Sequence, residues 1–159
     1  MTTAVYSLLV GAALASLMLG IAVSDWRRFR VPDKLTAQAL ALRALDLMVG
    51  WQAEAFLDAS LRAASAAALF YLFRLAYRRW RGREGMGLGD VKLAAVAGAW
   101  VDWRLLPYVV EAAALTGLAL ALAHARRKGA TPRGDLKLPF AVGFAPAIFF
   151  GWSLSHLGY

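Results

Sequence analysis

The chain has 159 residues, a formal charge of +8 and no cysteine, and 60% of it is hydrophobic, against about 45–50% in an ordinary soluble domain. The missing cysteines exclude disulfides, thiolate zinc sites and cysteine nucleophiles, and the two histidines, His124 and His156, lie too far apart to suggest a metal site. The basic residues sit between long apolar blocks and form no basic, aromatic-interleaved face, so the charge speaks against a nucleic-acid binder and for the loops of a membrane protein.

Six apolar segments follow one another. The first runs from about Ala4 to Ser24, the second from Lys34 to Gly50 and the third from Ala55 to Ala76. The fourth spans Leu88 to Val101, the fifth Arg104 to Ala125 and the sixth Leu138 to Leu157. Segments one, three, five and six approach the roughly 20 residues that cross a hydrocarbon core; two and four are shorter and carry charges. The first apolar run starts without a basic region before it, and its charges follow in DWRRFR. It therefore reads as a permanent helix and not a cleaved signal. The whole of 1–159 reads as a single membrane-embedded domain.

Charge placement orients the segments. Arg27, Arg28, Arg30 and Lys34 follow the first. Arg74, Arg78, Arg79, Arg81 and Arg83 close the third, and Arg126, Arg127, Lys128, Arg133 and Lys137 follow the fifth. Fourteen basic residues thus fall on one side, and Arg104 alone falls in the connections on the other. The positive-inside rule then predicts an all-α protein of six transmembrane helices, both termini outside and three cytoplasmic loops. The arginines serve orientation and contact with anionic headgroups.

Ionisable residues inside the segments each need a reason. Arg43 and Asp46, three apart, and Asp58 and Arg62, four apart, are spaced to neutralise each other along a helix. Glu111 has no partner in its own segment, which predicts that it faces the bundle, with Arg43 as one candidate partner. Lys92 points away from Asp90 on a helix and is expected to reach the cytoplasmic face. Gly11 with Ala15, and Gly117 with Ala121, are small-residue pairs that let helices approach closely.

Asp25 and Asp90 have no local neutraliser. The topology puts both at the cytoplasmic surface, Asp25 ending segment one and Asp90 starting segment four. Read alone, Asp25 is a solvated helix-end acid and Asp90 a residue favoured by a helix dipole. Brought together, two carboxylates cannot both ionise easily, and they become an acid and a base at one pH. The stretch GMGLGDVK, from Gly85 to Lys92, tips the balance. Irregular backbone at membrane depth is tolerated only where it is buried or lines water. Gly85, Gly87 and Gly89 permit an extended or positive-φ backbone and the close approach of an extended peptide.

The GLGD of Gly87–Asp90 matches the GxGD signature of membrane-embedded aspartyl proteases. SDWRRFRVPDKLT, from Ser24 to Thr36, resembles the first-aspartate motif of the type IV prepilin peptidases, and KLPFAVGFA, from Lys137 to Ala145, resembles their Pro-Phe motif. Presenilin-type relatives place a tyrosine before the first aspartate, where this chain has Ser24. The resemblance implies an aspartic endopeptidase of the bacterial inner membrane that removes basic leaders from prepilins and pseudopilins at the cytoplasmic face. It implies Asp25 and Asp90 as the catalytic pair, Gly87 and Gly89 shaping the second aspartate's loop, and Pro139 and Phe140 near the site. Pro139 reads equally well as a helix-start proline. Longer members carry a cysteine-containing insert after the first helix. This chain has only a short loop there and resembles the small form that serves tight-adherence pili, so N-methyltransferase activity and S-adenosylmethionine are not expected.

By this reading one carboxylate deprotonates water while its protonated partner polarises the scissile carbonyl, with no metal or other cofactor. The alternatives are a GxGD protease with another substrate, a proton-coupled transporter using Asp25, Asp90 and Glu111 as a relay, or an inactive scaffold of a pilus system. The lack of an inverted repeat weighs against the transporter.

Overall fold

The structure is a computed structural model that describes residues 2–82, 85–128 and 140–156. Those residues form six α-helices and no strand: α1 (Thr2–Arg28), α2 (Asp33–Val49), α3 (Ala53–Arg81), α4 (Leu88–Trp100), α5 (Leu106–Lys128) and α6 (Ala141–His156). Two of them, α1 and α3, are long and apolar enough to cross a membrane, and α5 adds a shorter apolar stretch, Leu106–Leu120. The start expected for the sixth segment, Leu138, lies outside the described residues.

Local chemistry sets the breaks. After α1, Phe29 adopts a left-handed φ of 51° while its N–H still donates to the Asp25 carbonyl. Pro32 then forces extended backbone on Val31 and stands at the N-cap of α2, with Asp33 in the first turn. α3 ends on Gly82, whose φ of 67° is the left-handed C-cap that glycine tolerates best.

α4 lies at the centre. It packs against α3, α2, α6 and α5, while α1 and α5 both lie along α6. Leu93, Ala94, Val96, Ala97, Ala99 and Trp100 are all buried, as befits a helix that is apolar all round. They meet Leu14, Met18 and Ile21 of α1 and Phe144, Ile148 and Trp152 of α6 in one core. Phe70 of α3 stacks on Phe144 with ring centroids 5.8 Å apart. A Cβ on Gly98 would collide with the Arg62 backbone, so this glycine lets α3 and α4 touch backbone to backbone. On the outside, α1 and α3 present Leu8, Leu9, Leu19, Leu57, Leu61, Leu69 and Leu72 to the surroundings.

The end of α4 is held by arginines from two other helices. The last carbonyls of a helix lack intrahelical donors. Here Arg62 Nε donates to the Gly98 carbonyl at 3.0 Å and Arg43 Nε to that of Ala99 at 3.1 Å. Arg43 also pairs with Asp46 at 2.6 Å and Arg62 with Asp58, the two pairs that the spacing predicts. The Arg43 guanidinium lies 5.3 Å from the centroid of the Trp100 ring, whose Nε1 donates to the Ala39 carbonyl at 2.9 Å. Glu111 departs from expectation: its side chain is exposed, and Arg43 is engaged by Asp46 and α4. Nothing in its own segment disclosed this, because α5 meets the bundle mainly through α6 and leaves its other faces uncovered.

Candidate active site

Asp25 sits in the last turn of α1 and is only 6% exposed. The Ala141 N–H donates to its Oδ2 at 2.8 Å, and the Val142 N–H is a second donor to the carboxylate. Both amides belong to the first turn of α6. The first N–H groups of a helix have no partner within it and carry the positive end of its dipole, so the start of α6 is a ready seat for a carboxylate. Phe140 fixes that start: its carbonyl accepts from the Gly143 and Phe144 amides at 3.2 and 3.1 Å. Its ring meets that of Phe144 edge-on at 5.3 Å. Phe140 thus stands one residue before a donor to Asp25. Pro139 lies outside the described residues.

Asp90 occupies the third position of α4. Its Oδ2 accepts from the Gly87 N–H at 3.2 Å, and its own N–H donates back to the Gly87 carbonyl at 3.2 Å. This is half of a capping box, the acid at the third position reaching back to the N-cap amide, while Gly87, having no side chain, offers only its carbonyl in return. The favourable place at a helix N-terminus is therefore real, and it orients the carboxylate. Asp90 is also near enough to Asp25 to be acted on by its charge. The charge of Asp25 thus acts on an acid 65 positions further along the chain, and each carboxylate is held by backbone amides at the start of a different helix.

The glycines carry less conformational freedom and more packing than the sequence implies. Gly87 is extended, with φ −74° and ψ 153°, and neither Gly85 nor Gly89 has a positive φ. A Cβ on Gly89 would stand 2.9 Å from that of Val31, and one on Gly85 would run into the Tyr77 ring. At these two positions the neighbour expected to be a substrate strand is the protein itself. Gly89 lets the loop after Asp25 lie against the first turn of α4. Over Gly87 the nearest side-chain atom to such a Cβ is Asp90 Oδ2 at 3.7 Å, an ordinary contact.

A second tie joins the same two segments. Lys92 Nζ meets Asp33 Oδ1 at 2.6 Å, so the lysine turned away from Asp90 binds the start of α2. Sequence reasoning passed over Asp33, although it lies inside the quoted VPDKLT stretch. Two hydroxyls brace this loop: Ser24 Oγ donates to the Arg30 carbonyl at 3.0 Å, and buried Thr36 Oγ1 to that of Asp33 at 3.0 Å. Among the described residues no group of three or more His, Asp or Glu is gathered that could hold a metal ion.

Residues 12–122 match the type IV leader peptidase family, a range that contains both aspartates and the glycine loop. The chain belongs to that family. Its relatives include proteins named prepilin leader peptidase/N-methyltransferase. That of Burkholderia pseudomallei is 39% identical over 89% of this chain and 48% of its own length. That of Pectobacterium carotovorum is 35% identical over 69% and 39%, and that of Pseudomonas aeruginosa 31% over 85% and 44%. The chain thus spans about half the length of the curated relatives it matches. No solved structure matches it. The candidate site joins the end of α1 to the start of α6 and takes in the start of α4, and the groups that hold its two acids are backbone amides.

Proposed function

We propose that the protein is a membrane aspartic endopeptidase that removes basic leader peptides from prepilins or pseudopilins, with Asp25 and Asp90 as its catalytic pair. The observation that carries this reading is a buried carboxylate of α1 whose charge acts on a carboxylate of α4, each seated on the amides of a helix start. One carboxylate takes a proton from water, and the other, protonated, polarises the scissile carbonyl; the proton then passes to the leaving amine. Gly87, where a Cβ would make only ordinary contacts with Asp90 and Gly89, lines the path of the substrate beside Asp90, Gly89 sets the approach of the two loops, and Phe140, which follows Pro139 in the sequence, sets the start of α6.

The chain acts as one domain, 1–159, with six crossings and both termini outside, in the bacterial inner membrane with the acids at the cytoplasmic face. The outward leucines of α1 and α3 support a lipid environment. α4, with 13 residues, spans roughly 20 Å as a helix, so Asp90 is reached from water only if the cytoplasmic side is thinned or hydrated there. The connection between α1 and α2 holds four residues, leaving no room for the insert of longer members. The methyltransfer in the relatives' name, and S-adenosylmethionine with it, form no part of the proposal.

Co-expression with a candidate prepilin tests the reading. A shift of the pilin to its mature size, dependent on this chain, is expected. An unchanged size across several prepilins would return the transporter or the scaffold to first place.

A further inference from the structure

An apolar groove of about 650 Å³ opens beside the loop that leads to Asp90. It is lined by Phe73, Ala76, Tyr77 and Trp80 of α3 and by Gly85 and Met86 across from them. The four α3 residues recur at helical spacing along one face. Gly85 lies directly on the Tyr77 ring, so the glycine loop itself forms one wall. The groove is continuous with the outward apolar surface of α3, where Leu69, Leu72 and Phe73 are all more than half exposed.

A basic stripe runs beside it. Arg74, Arg78 and Arg81 share the next face of α3, at i, i+4 and i+7. Arg78 is exposed, and the Arg81 guanidinium lies over the Trp80 ring at 4.9 Å from its centroid, on a tryptophan that is 79% exposed. An exposed tryptophan flanked by arginines is what a chain places at the level of lipid headgroups. Apolar walls suit an acyl chain, and arginine is suited to phosphate.

We propose that this groove is a binding site for an anionic phospholipid, its acyl chain along Phe73, Tyr77 and Met86 and its phosphate on Arg78 and Arg81. The inference rests on the membrane-embedded reading above. It goes beyond general attraction to an anionic surface, because the lipid packs against Gly85 and Met86 and so steadies the segment that carries Asp90.

The test places the protein in phosphatidylcholine nanodiscs containing a minor fraction of brominated phosphatidylglycerol or, in parallel, the same fraction of brominated phosphatidylcholine. The fluorescence quenched in the native protein but not in Trp80→Phe reports the lipid beside Trp80. Each arginine near an anionic lipid contributes about a fivefold preference, so with both Arg78 and Arg81 engaged Trp80 should be quenched by the brominated anionic lipid at about one twenty-fifth of the fraction the zwitterionic one requires. Arg78→Gln with Arg81→Gln should erase that difference. Equal quenching by the two lipids, or a preference that survives the arginine changes, would overturn the proposal. Release of the quenching by added prepilin would give the groove to the substrate and overturn it too. Because quenching requires no turnover, a chain that cleaves no prepilin still tests the groove, and cleavage without lipid preference sinks the groove alone.

Discussion

α4 carries ionisable groups at both of its ends, and the two ends differ in kind. At its C-terminus, Arg43 and Arg62 each satisfy an α4 carbonyl and each pair with an aspartate of their own helix. Every charge there meets an opposite one. At its N-terminus, Asp25 and Asp90 take hydrogen bonds from backbone amides, and among the described residues neither forms an ion pair with Arg or Lys. Both ends obey the helix dipole, cations at the C-terminus and acids at the N-terminus. The distinction lies in what each arrangement leaves available. An ion pair fixes both charge states and makes a strut; an acid oriented only by amides retains a second oxygen for proton transfer. One end holds the helix in place, and the other is the end that the proposed function makes reactive.

The largest effect separates these roles. Asp25→Asn and Asp90→Asn should each abolish prepilin processing in membranes with matched amounts of protein, because asparagine neither ionises nor transfers a proton at neutral pH. The double variant should be scarcely worse than either single one, since the pair acts as a unit. Thermal stability should hold, because the amide oxygen still accepts from Ala141 or Gly87. Near-normal processing by either single variant would end the aspartyl-protease reading.

At the other end the order reverses. Arg62→Met removes the donor to the Gly98 carbonyl and the partner of Asp58. It should lower stability by about 2 kcal/mol, read as a lower midpoint in detergent, while cleavage per folded molecule persists. Asp58, half exposed and also bonded to Trp103 Nε1 at 3.2 Å, is not left as a buried bare charge, which keeps the loss moderate. Full stability with lost turnover would erase the contrast between the ends.

A smaller effect probes the glycine loop. Gly89→Ala sets a methyl against Val31, whose β-branched side chain has little room to turn. Displacing Asp90 in this way should slow cleavage by about tenfold, and adding Val31→Ala should recover most of the loss. At Gly87 an alanine methyl would make only ordinary contacts, with Asp90 Oδ2 at 3.7 Å and the Gly89 nitrogen at 3.8 Å, so any loss there should appear in KM for the prepilin. If Val31→Ala recovered nothing, contact with substrate would account for Gly89 better than packing does.

Much of this was legible in the sequence because hydrophobic blocks and charge bias act over long stretches. The helix start at Leu88 and, to within one residue, the end of the second segment at Gly50 follow from the apolar blocks, and the pairs Arg43–Asp46 and Asp58–Arg62 from spacing alone. The two acids stood out because each lies at the expected cytoplasmic end of an apolar segment, the second directly after a glycine-rich loop. What was not legible depends on contacts across helices. No pattern within α2 or α3 says that Arg43 and Arg62 reach the carbonyls of α4, and none within α5 says that Glu111 faces outward. The seat of Asp25 is made of amide groups, which every residue but proline possesses, so no side-chain motif could announce it. Gly89 announced a special backbone position, but its partner, Val31, lies 58 positions away.

The smallest expected effect concerns the tie between Lys92 and Asp33, whose side chains are 44% and 75% exposed. Water screens such a pair, so its contribution to stability should fall within about 0–1 kcal/mol. Its interest lies in position: it joins the first turn of α2, just after the loop that follows Asp25, to α4 two residues past Asp90. Asp33→Asn or Lys92→Gln should therefore slow cleavage by only about two- to fivefold, the rate equivalent of that energy. Adding salt should narrow the gap between variant and native protein, because an exposed pair weakens with ionic strength. The exchanged pair, Asp33→Lys with Lys92→Asp, restores attraction across the same gap and should recover activity above either single reversal. If the exchanged pair were no better than its worse component, the lysine would be acting on something other than Asp33. The tie between the loops would then rest on Val31 and Gly89 alone.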